Sequence, residues 1–225
     1  MWFELEIEVI PAVDVLGEDA VRLARGSYDD VVERAHDPVA LAARWLEGGA
    51  RRIHLVDLDG ARRGGVRPEL VARVAALGAP VQASGGIRSP ADAHALLEAG
   101  ADRVVVGTAA WPDPEPWLDL GDALVLAVDV RDGVVRTSGW TESTGISFEQ
   151  ALARAATARV LVTAIDRDGT LAGPDLELVR RAAEAGLRVL AAGGVRSPAD
   201  VAALGAAGAE AAIVGRALLA PQAAA

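Results

Sequence analysis

Two aspartates follow apolar segments of similar sequence, Asp14 at the end of VIPAVD and Asp129 at the end of LVLAVD. An acidic residue that directly follows a buried β-strand lies at the carboxyl end of that strand, where barrels of parallel strands hold their catalytic groups. Two carboxylates that face each other can divide the roles of general base and general acid. Each could instead cap a loop or pair with an arginine, Arg22 or Arg131.

A glycine pattern occurs twice, 108 residues apart, as ASGGIRSPAD from Ala83 and AAGGVRSPAD from Ala191. Each copy is followed by an apolar run that ends in glycine, VVVGTA or AIVGRA. Glycines allow close approach of a ligand to the backbone, and free N–H groups favour an anion, although a tight turn alone would also need them. The predicted phosphate-binding residues are Gly85, Gly86, Gly107 and Thr108 in the first copy, and Gly193, Gly194, Gly215 and Arg216 in the second.

The elements that must position these residues alternate along the chain. Eight apolar, strand-like segments are separated by Ala-, Leu- and Glu-rich helical segments, which is typical of parallel strands buried on both faces. An open doubly wound sheet is possible, but the repeat favours an α/β fold of the (βα)8 TIM-barrel type, built from two duplicated half-barrels. We predict one domain, 1–225, with repeats at about 8–119 and 120–220. Only Arg216–Ala225 follow the last glycine, so the last helix is shortened or absent.

In such a barrel the two glycine sites lie on opposite sides of the carboxyl end, with Asp14 and Asp129 between them. This arrangement suits a long ligand with a phosphate at each end. Trp140, in the polar segment SGWTES, could stack on a planar heterocycle. The block TAIDRDGT ends the predicted sixth strand, and its Asp168 and Gly169 form a turn signal. His54 lies within a predicted strand and is interpreted as a core or rim residue.

Composition excludes several classes of protein. The chain has no cysteine and therefore no disulfide or thiolate metal site, and its net charge of −10 argues against a general nucleic-acid surface. No apolar run is long enough to span a bilayer, and the acidic N-terminus differs from a signal peptide. We expect a monomeric, cytoplasmic protein without metal or cofactor that binds neither membranes nor nucleic acid.

From about Val9 to Leu219 the chain resembles the isomerase family of histidine biosynthesis that acts on phosphoribosylformimino-aminoimidazole-carboxamide ribotide. The resemblance rests on IPAVD, AVRLARGSYDD, IHLVDLDGA, SGW and TAIDRDGT together with both glycine repeats. It implies an Amadori rearrangement of a bisphosphorylated aminoaldose, with Asp14 as proton acceptor and Asp129 as proton donor. It also implies active-site roles for Thr163 and Asp168 and contacts to the substrate from Arg22, Ser84, Gly169 and Trp140.

Three alternatives stay open. The cyclase of the same pathway shares the barrel and both phosphate sites, but its first strand ends around a cysteine that this chain lacks. A dual-substrate isomerase would also convert phosphoribosyl anthranilate; Ser84 and the segment Asp57–Asp59 favour it, whereas Ser138 stands where that group has an arginine for the anthranilate carboxylate. A non-catalytic phosphate binder is the third, because the last helix is short and Ala164 stands where many relatives have aspartate.

Overall fold

Eight parallel strands pair side by side into a closed barrel in a computed structural model of the chain. The structure describes residues 2–24, 27–35, 37–155 and 158–219, without the side chains of 22–24 and 27–35. The barrel strands, in chain order, are β1 (Glu8–Leu16), β4 (Ile53–Asp57), β5 (Val81–Ser84), β6 (Arg103–Val106), β7 (Leu124–Arg131), β10 (Arg159–Ala164), β11 (Arg188–Ala192) and β12 (Ala209–Val214). Pairing of β12 with β1 closes the ring, which confirms the predicted TIM barrel.

Helices follow most of the barrel strands. They are α1 (Pro38–Glu47), α2 (Leu58–Arg63), α3 (Pro68–Ala75), α4 (Pro90–Glu98), α5 (Phe148–Arg154), α6 (Leu176–Glu184), α7 (Pro198–Ala206) and α8 (Arg216–Leu219). The segment before β7 is a 3-10 helix, Glu115–Ala123. The last helix is shortened as predicted, since α8 has four residues. No helix in the described ranges is both long and apolar enough to cross a bilayer.

The second half of each glycine repeat, SPAD, starts an outer helix. The Ser89 hydroxyl accepts a hydrogen bond from the Asp92 N–H, and the Asp92 carboxylate accepts from the Ser89 N–H, which forms a capping box at α4. The Ser197 hydroxyl caps α7 by accepting from the Asp200 N–H, and the Asp200 carboxylate accepts from the Arg196 N–H. The serine, proline and aspartate of SPAD are therefore explained by local helix initiation and need no ligand to account for them.

Two apolar cores hold the barrel together. The larger packs the outer faces of the strands against the helices, and the smaller fills the barrel interior. Strand β10 is buried at all six of its residues, as expected for a strand covered on both faces. The interior core consists of Ile10, Val105, Val125, Ala127, Leu161, Leu190, Ala211 and Ile213.

Corresponding strands of the two half-barrels each continue into an antiparallel hairpin. Strand β1 is followed by β2 (Asp19–Ala24) and β3 (Ser27–Ala35), and β7 by β8 (Val134–Thr137) and β9 (Glu142–Ser147). Neither hairpin is predicted from the sequence, and part of the second is described there only as the polar segment SGWTES. Asp132-Gly133 between LAVDV and VVRT was the available signal, because Asp-Gly between apolar segments is typical of a tight hairpin.

Candidate active site

A cavity of about 290 Å³ opens at the carboxyl ends of the barrel strands. All but one of the predicted site residues line it, although they come from both halves of the chain. They are Asp14, Ser84, Gly85, Gly86, Gly107, Thr108, Asp129, Trp140, Thr163, Asp168, Gly169, Gly193, Gly194, Gly215 and Arg216. The exception is Arg22, whose backbone belongs to β2 and whose side chain lies outside the described part of the protein.

Asp129 accepts hydrogen bonds from two neighbouring side chains. Its Oδ2 accepts a hydrogen bond of 2.9 Å from the Trp140 indole Nε1, and the Thr163 hydroxyl bonds to the same carboxyl group. Thr163 is the register partner of Asp129 in the adjacent strand β10. Burial raises the pKa of Asp129 above its usual value, and the two hydrogen bonds only partly oppose that rise. A carboxyl group with a raised pKa is suited to act as a general acid.

Asp14 lies across the cavity from Asp129. Three strands separate β1 from β7 in either direction around the ring, β4, β5 and β6 on one side and β10, β11 and β12 on the other. Asp14 is half-buried and lines the same cavity. The two carboxylates can therefore contact opposite sides of one ligand, as the sequence predicts.

The TAIDRDGT block places Asp168 at the rim. Residues Ile165–Arg167 form a 3-10 turn after β10, and the Asp168 N–H closes it on the Ile165 carbonyl at 3.1 Å. The corresponding acid of the first half, Asp59, does not line the cavity. Its carboxylate accepts a hydrogen bond from the Gly17 N–H instead. The two halves therefore have the same architecture and different polar groups.

The two Gly-Gly pairs are required by the backbone of neighbouring loops. Gly85 and Gly86 have φ of +99° and +80°, and a Cβ on Gly86 would lie 1.8 Å from the Gly65 carbonyl oxygen. In the second copy a Cβ on Gly194 would lie 2.2 Å from the Gly173 oxygen. The tight-turn explanation therefore accounts for the identity of these residues, whether or not their N–H groups also bind an anion.

Gly107 differs from the glycine pairs. Its φ is −106°, and a Cβ there would meet nothing closer than the Ala127 methyl group at 3.5 Å, an ordinary contact. Steric contact therefore does not exclude a side chain at this position, although the ψ of −98° lies outside the α and β regions that L-residues favour and so suits glycine. Short helical turns begin directly after Gly107 and after its counterpart Gly215, and the first N–H groups of such turns have no partner within the turn. This favours an anion beside each of these two glycines.

The residues beside the last glycines hold neighbouring loops. The Thr108 hydroxyl accepts a hydrogen bond of 2.9 Å from the Ser138 N–H and so fastens the β8–β9 hairpin that carries Trp140. On the other side, the Arg216 guanidinium donates to the Gly169 carbonyl oxygen. Thr108 and Arg216, which the sequence predicts to contact phosphate, thus also connect loops around the cavity.

Three titratable side chains that the sequence-based prediction did not assign to the site also line the cavity: Arg88, Arg136 and His54. Arg88 donates to the Ala61 carbonyl oxygen at 3.0 Å. Arg136 lies on β8, directly opposite Asp129 in the register of the hairpin. Once the hairpin is recognised, its alternation indicates that Arg136 and the buried Val135 point to opposite faces.

The closed barrel and the glycine-lined cavity at the carboxyl ends of its strands define a TIM-barrel protein with its site in the usual place for enzymes of this architecture. Within the described residues, no group of three or more histidine, aspartate or glutamate side chains is placed to hold a metal ion. The chain belongs to the family described as "Histidine biosynthesis protein", which matches residues 8–223. The predicted family is thereby confirmed.

Curated relatives match the chain over most of their length. A protein of Sorangium cellulosum (strain So ce56) is 46% identical, with 94% of this chain and 93% of the relative covered. One of Synechococcus sp. (strain CC9311) is 44% identical, with 94% and 88% covered, and one of Roseiflexus sp. (strain RS-1) is 43% identical, with 94% of each covered. Each is named 1-(5-phosphoribosyl)-5-((5-phosphoribosylamino)methylideneamino)imidazole-4-carboxamide isomerase.

Proposed function

We propose that this protein is a histidine-biosynthesis isomerase that converts the aminoaldose phosphoribosylformimino-aminoimidazole-carboxamide ribotide, abbreviated ProFAR, into the corresponding aminoketose. The observation that carries the proposal is the convergence of two carboxylates and two glycine sites on one cavity, in a chain whose relatives are named as this isomerase. The glycine sites would hold the two phosphates. The ribose that reacts would then lie between Asp14 and Asp129.

The reaction needs only proton transfers, since an aldose and its ketose have the same composition. Asp129 gives its proton to the ribose ring oxygen as the C1–O bond breaks, and the nitrogen lone pair forms a C1–N double bond. Asp14 removes the C2 proton, which gives an enaminol. Return of a proton from Asp14 to C1 and loss of the C2 hydroxyl proton to Asp129 complete the ketone and restore both groups. No oxidant or reductant is consumed.

We expect purified protein to convert ProFAR to the aminoketose in buffer that contains EDTA, and the gene to restore growth of a histidine auxotroph that lacks this isomerase. Conversion is followed by chromatographic separation of substrate and product. Binding of ProFAR without turnover, together with failure to restore growth, would contradict the proposal and would support the non-catalytic phosphate binder. Cyclase activity on the downstream substrate would instead support the related cyclase.

Arg136 favours a second candidate function, a dual-substrate isomerase that also accepts phosphoribosyl anthranilate. Its Nε is buried, and no hydrogen bond or ion pair of Arg136 is found among the described side chains. Arg136 lies two residues before Ser138 in the sequence. Ser138 is the position at which the dual-substrate group has an arginine. Arg136 could therefore pair with the anthranilate carboxylate in place of that residue.

The test of this candidate is growth of a tryptophan auxotroph that lacks the anthranilate isomerase. If Arg136 binds the carboxylate, Arg136→Met should lower kcat/KM for phosphoribosyl anthranilate by about 10- to 100-fold, the effect of a charge-assisted hydrogen bond, and should lower kcat/KM for ProFAR much less. Equal losses with both substrates would show that Arg136 does not discriminate between them. Growth of the histidine strain alone would leave the single-substrate isomerase.

A further inference from the structure

We propose that Gln82 is a positioning residue of the active site. Its side chain holds His54 as a neutral imidazole whose ring proton is on Nε2. His54 donates this N–H from the bottom of the cavity to an acceptor oxygen of the sugar. The inference deepens the proposed isomerase function and rests on it for the identity of the acceptor. The pairing of the two side chains can be tested without any substrate.

The two side chains lie next to each other inside the barrel. His54 on β4 and Gln82 on β5 are register partners in adjacent parallel strands. The Gln82 Nε2 lies 3.0 Å from the His54 Nδ1, and the two residues are 0% and 5% exposed, respectively. Because the amide N–H donates to Nδ1, that nitrogen carries no proton, and the ring proton of a neutral imidazole is then on Nε2.

His54 is the polar residue at the bottom of the cavity, beneath the two aspartates, and Gln82 lies beside it at the same depth. In the register of β1 and β4, Asp14 is opposite Val56 and Ala12 is opposite His54, so His54 lies two residues deeper than Asp14. The other residues that line this part of the cavity are Val105, Ala127, Leu161 and Ile213. A hydrogen-bond donor at this depth can reach the middle of a ligand whose ends are held at the rim.

The free nitrogen of the imidazole faces the cavity. Among the described residues nothing forms a hydrogen bond with the His54 Nε2. This nitrogen is not fully buried. His54 also lines the cavity, so Nε2 is the atom that remains accessible from it. Gln82 itself does not line the cavity, which makes its effect on a ligand indirect.

The amide is costly at this position. The Gln82 Oε1 is buried and has no hydrogen-bond partner within the described chain. A buried carbonyl oxygen without a partner destabilises the folded state, and an apolar side chain of the same size would avoid that cost. Packing alone therefore does not explain Gln82, whereas fixing the proton of His54 does.

A neutral donor is compatible with the acid–base roles of the neighbouring groups. Burial lowers the pKa of His54 to about 4, which keeps the ring uncharged at neutral pH. A positive imidazolium beneath Asp129 would lower the pKa of that carboxyl group and oppose its function as an acid. The charged residues that line the same cavity are Asp14, Asp129 and Asp168, and Arg88, Arg136 and Arg216.

The first test is the ¹⁵N spectrum of the imidazole groups in the free protein. The chain has only three histidines, so His54→Ala identifies the His54 signal by its loss. We expect the pattern of a neutral ring protonated on Nε2, unchanged between about pH 5 and 8, the range in which free histidines titrate. In Gln82→Met the signal should show both tautomers. A wild-type ring protonated on Nδ1 would overturn the proposal even if the isomerase activity is present.

The second test is a double-mutant cycle on kcat/KM for ProFAR. Gln82→Met should lower kcat/KM by about three- to tenfold, the effect of one neutral hydrogen bond, without loss of thermal stability, because the unpaired carbonyl is removed. In the His54→Ala background the same change should have no further effect. An equal loss in both backgrounds would indicate a merely structural role. Absence of all turnover would contradict the isomerase function and leave the tautomer measurement interpretable.

Discussion

Asp14→Asn is expected to lower kcat for ProFAR by about 10²- to 10⁴-fold, the contribution of a positioned general base, while the affinity for the bisphosphorylated product changes little. Asparagine has the size and shape of aspartate but cannot accept the C2 proton. The glycine sites that would hold the phosphates lie on other strands and are unaffected. Turnover is measured with purified protein, and affinity by calorimetric titration with the aminoketose.

Glu18→Gln is the matched control for Asp14→Asn. Glu18 follows the same strand, also loses one negative charge on substitution, and its side chain is 85% exposed. This variant should keep the wild-type kcat. Full activity of Asp14→Asn would exclude Asp14 as the base, and a large loss of affinity for the product would assign it to binding instead.

Asp129→Asn is expected to reduce kcat by a similar factor, because the ring oxygen then receives no proton.

The same change should stabilise the fold at neutral pH. Burial raises the pKa of Asp129 in the folded protein above its value in the unfolded chain, so the stability that this group contributes is lost as the pH rises through the folded pKa. Asparagine is neutral at every pH, so the variant does not lose this contribution to stability. Thermal unfolding of both proteins over a range of pH measures the difference, which should shrink in acid.

The control for Asp129→Asn is Asp166→Asn. Asp166 is 65% exposed, pairs with Arg131 at 3.0 Å and does not line the cavity. It should therefore leave kcat unchanged. A less stable Asp129→Asn protein at neutral pH would show that its ionised carboxylate is held by the hydrogen bonds more strongly than burial opposes it.

Trp140→Phe tests the acid role of Asp129 from the other direction. The indole N–H stabilises the ionised carboxylate, so its removal should raise the pKa of Asp129 further. An acid must be protonated to act, and activity falls as the pH rises through its pKa. The alkaline limb of the kcat profile should therefore move to higher pH in Trp140→Phe. A shift in the opposite direction would contradict the assignment of that limb to Asp129.

The sequence by itself determined the barrel and nearly half of the residues that line its cavity. Apolar strands in a twofold repeat leave few arrangements in which all strands are buried, and closure brings every strand end to the same face. Asp14, Asp129 and both glycine pairs were therefore predictable from their places directly after strands. The helix starts were equally local, since Ser89 and Ser197 cap their helices within three residues.

Only the tertiary structure determined which of these residues contact each other. The contact of Trp140 with Asp129 depends on a hairpin that folds back over the cavity, and the place of Arg136 depends on the same hairpin. The pairing of His54 with Gln82 joins positions 28 residues apart through strand register. Sequence spacing says which residues follow a strand, but contacts between strands, and the burial that shifts the pKa of Asp129 and His54, arise only when the ring closes.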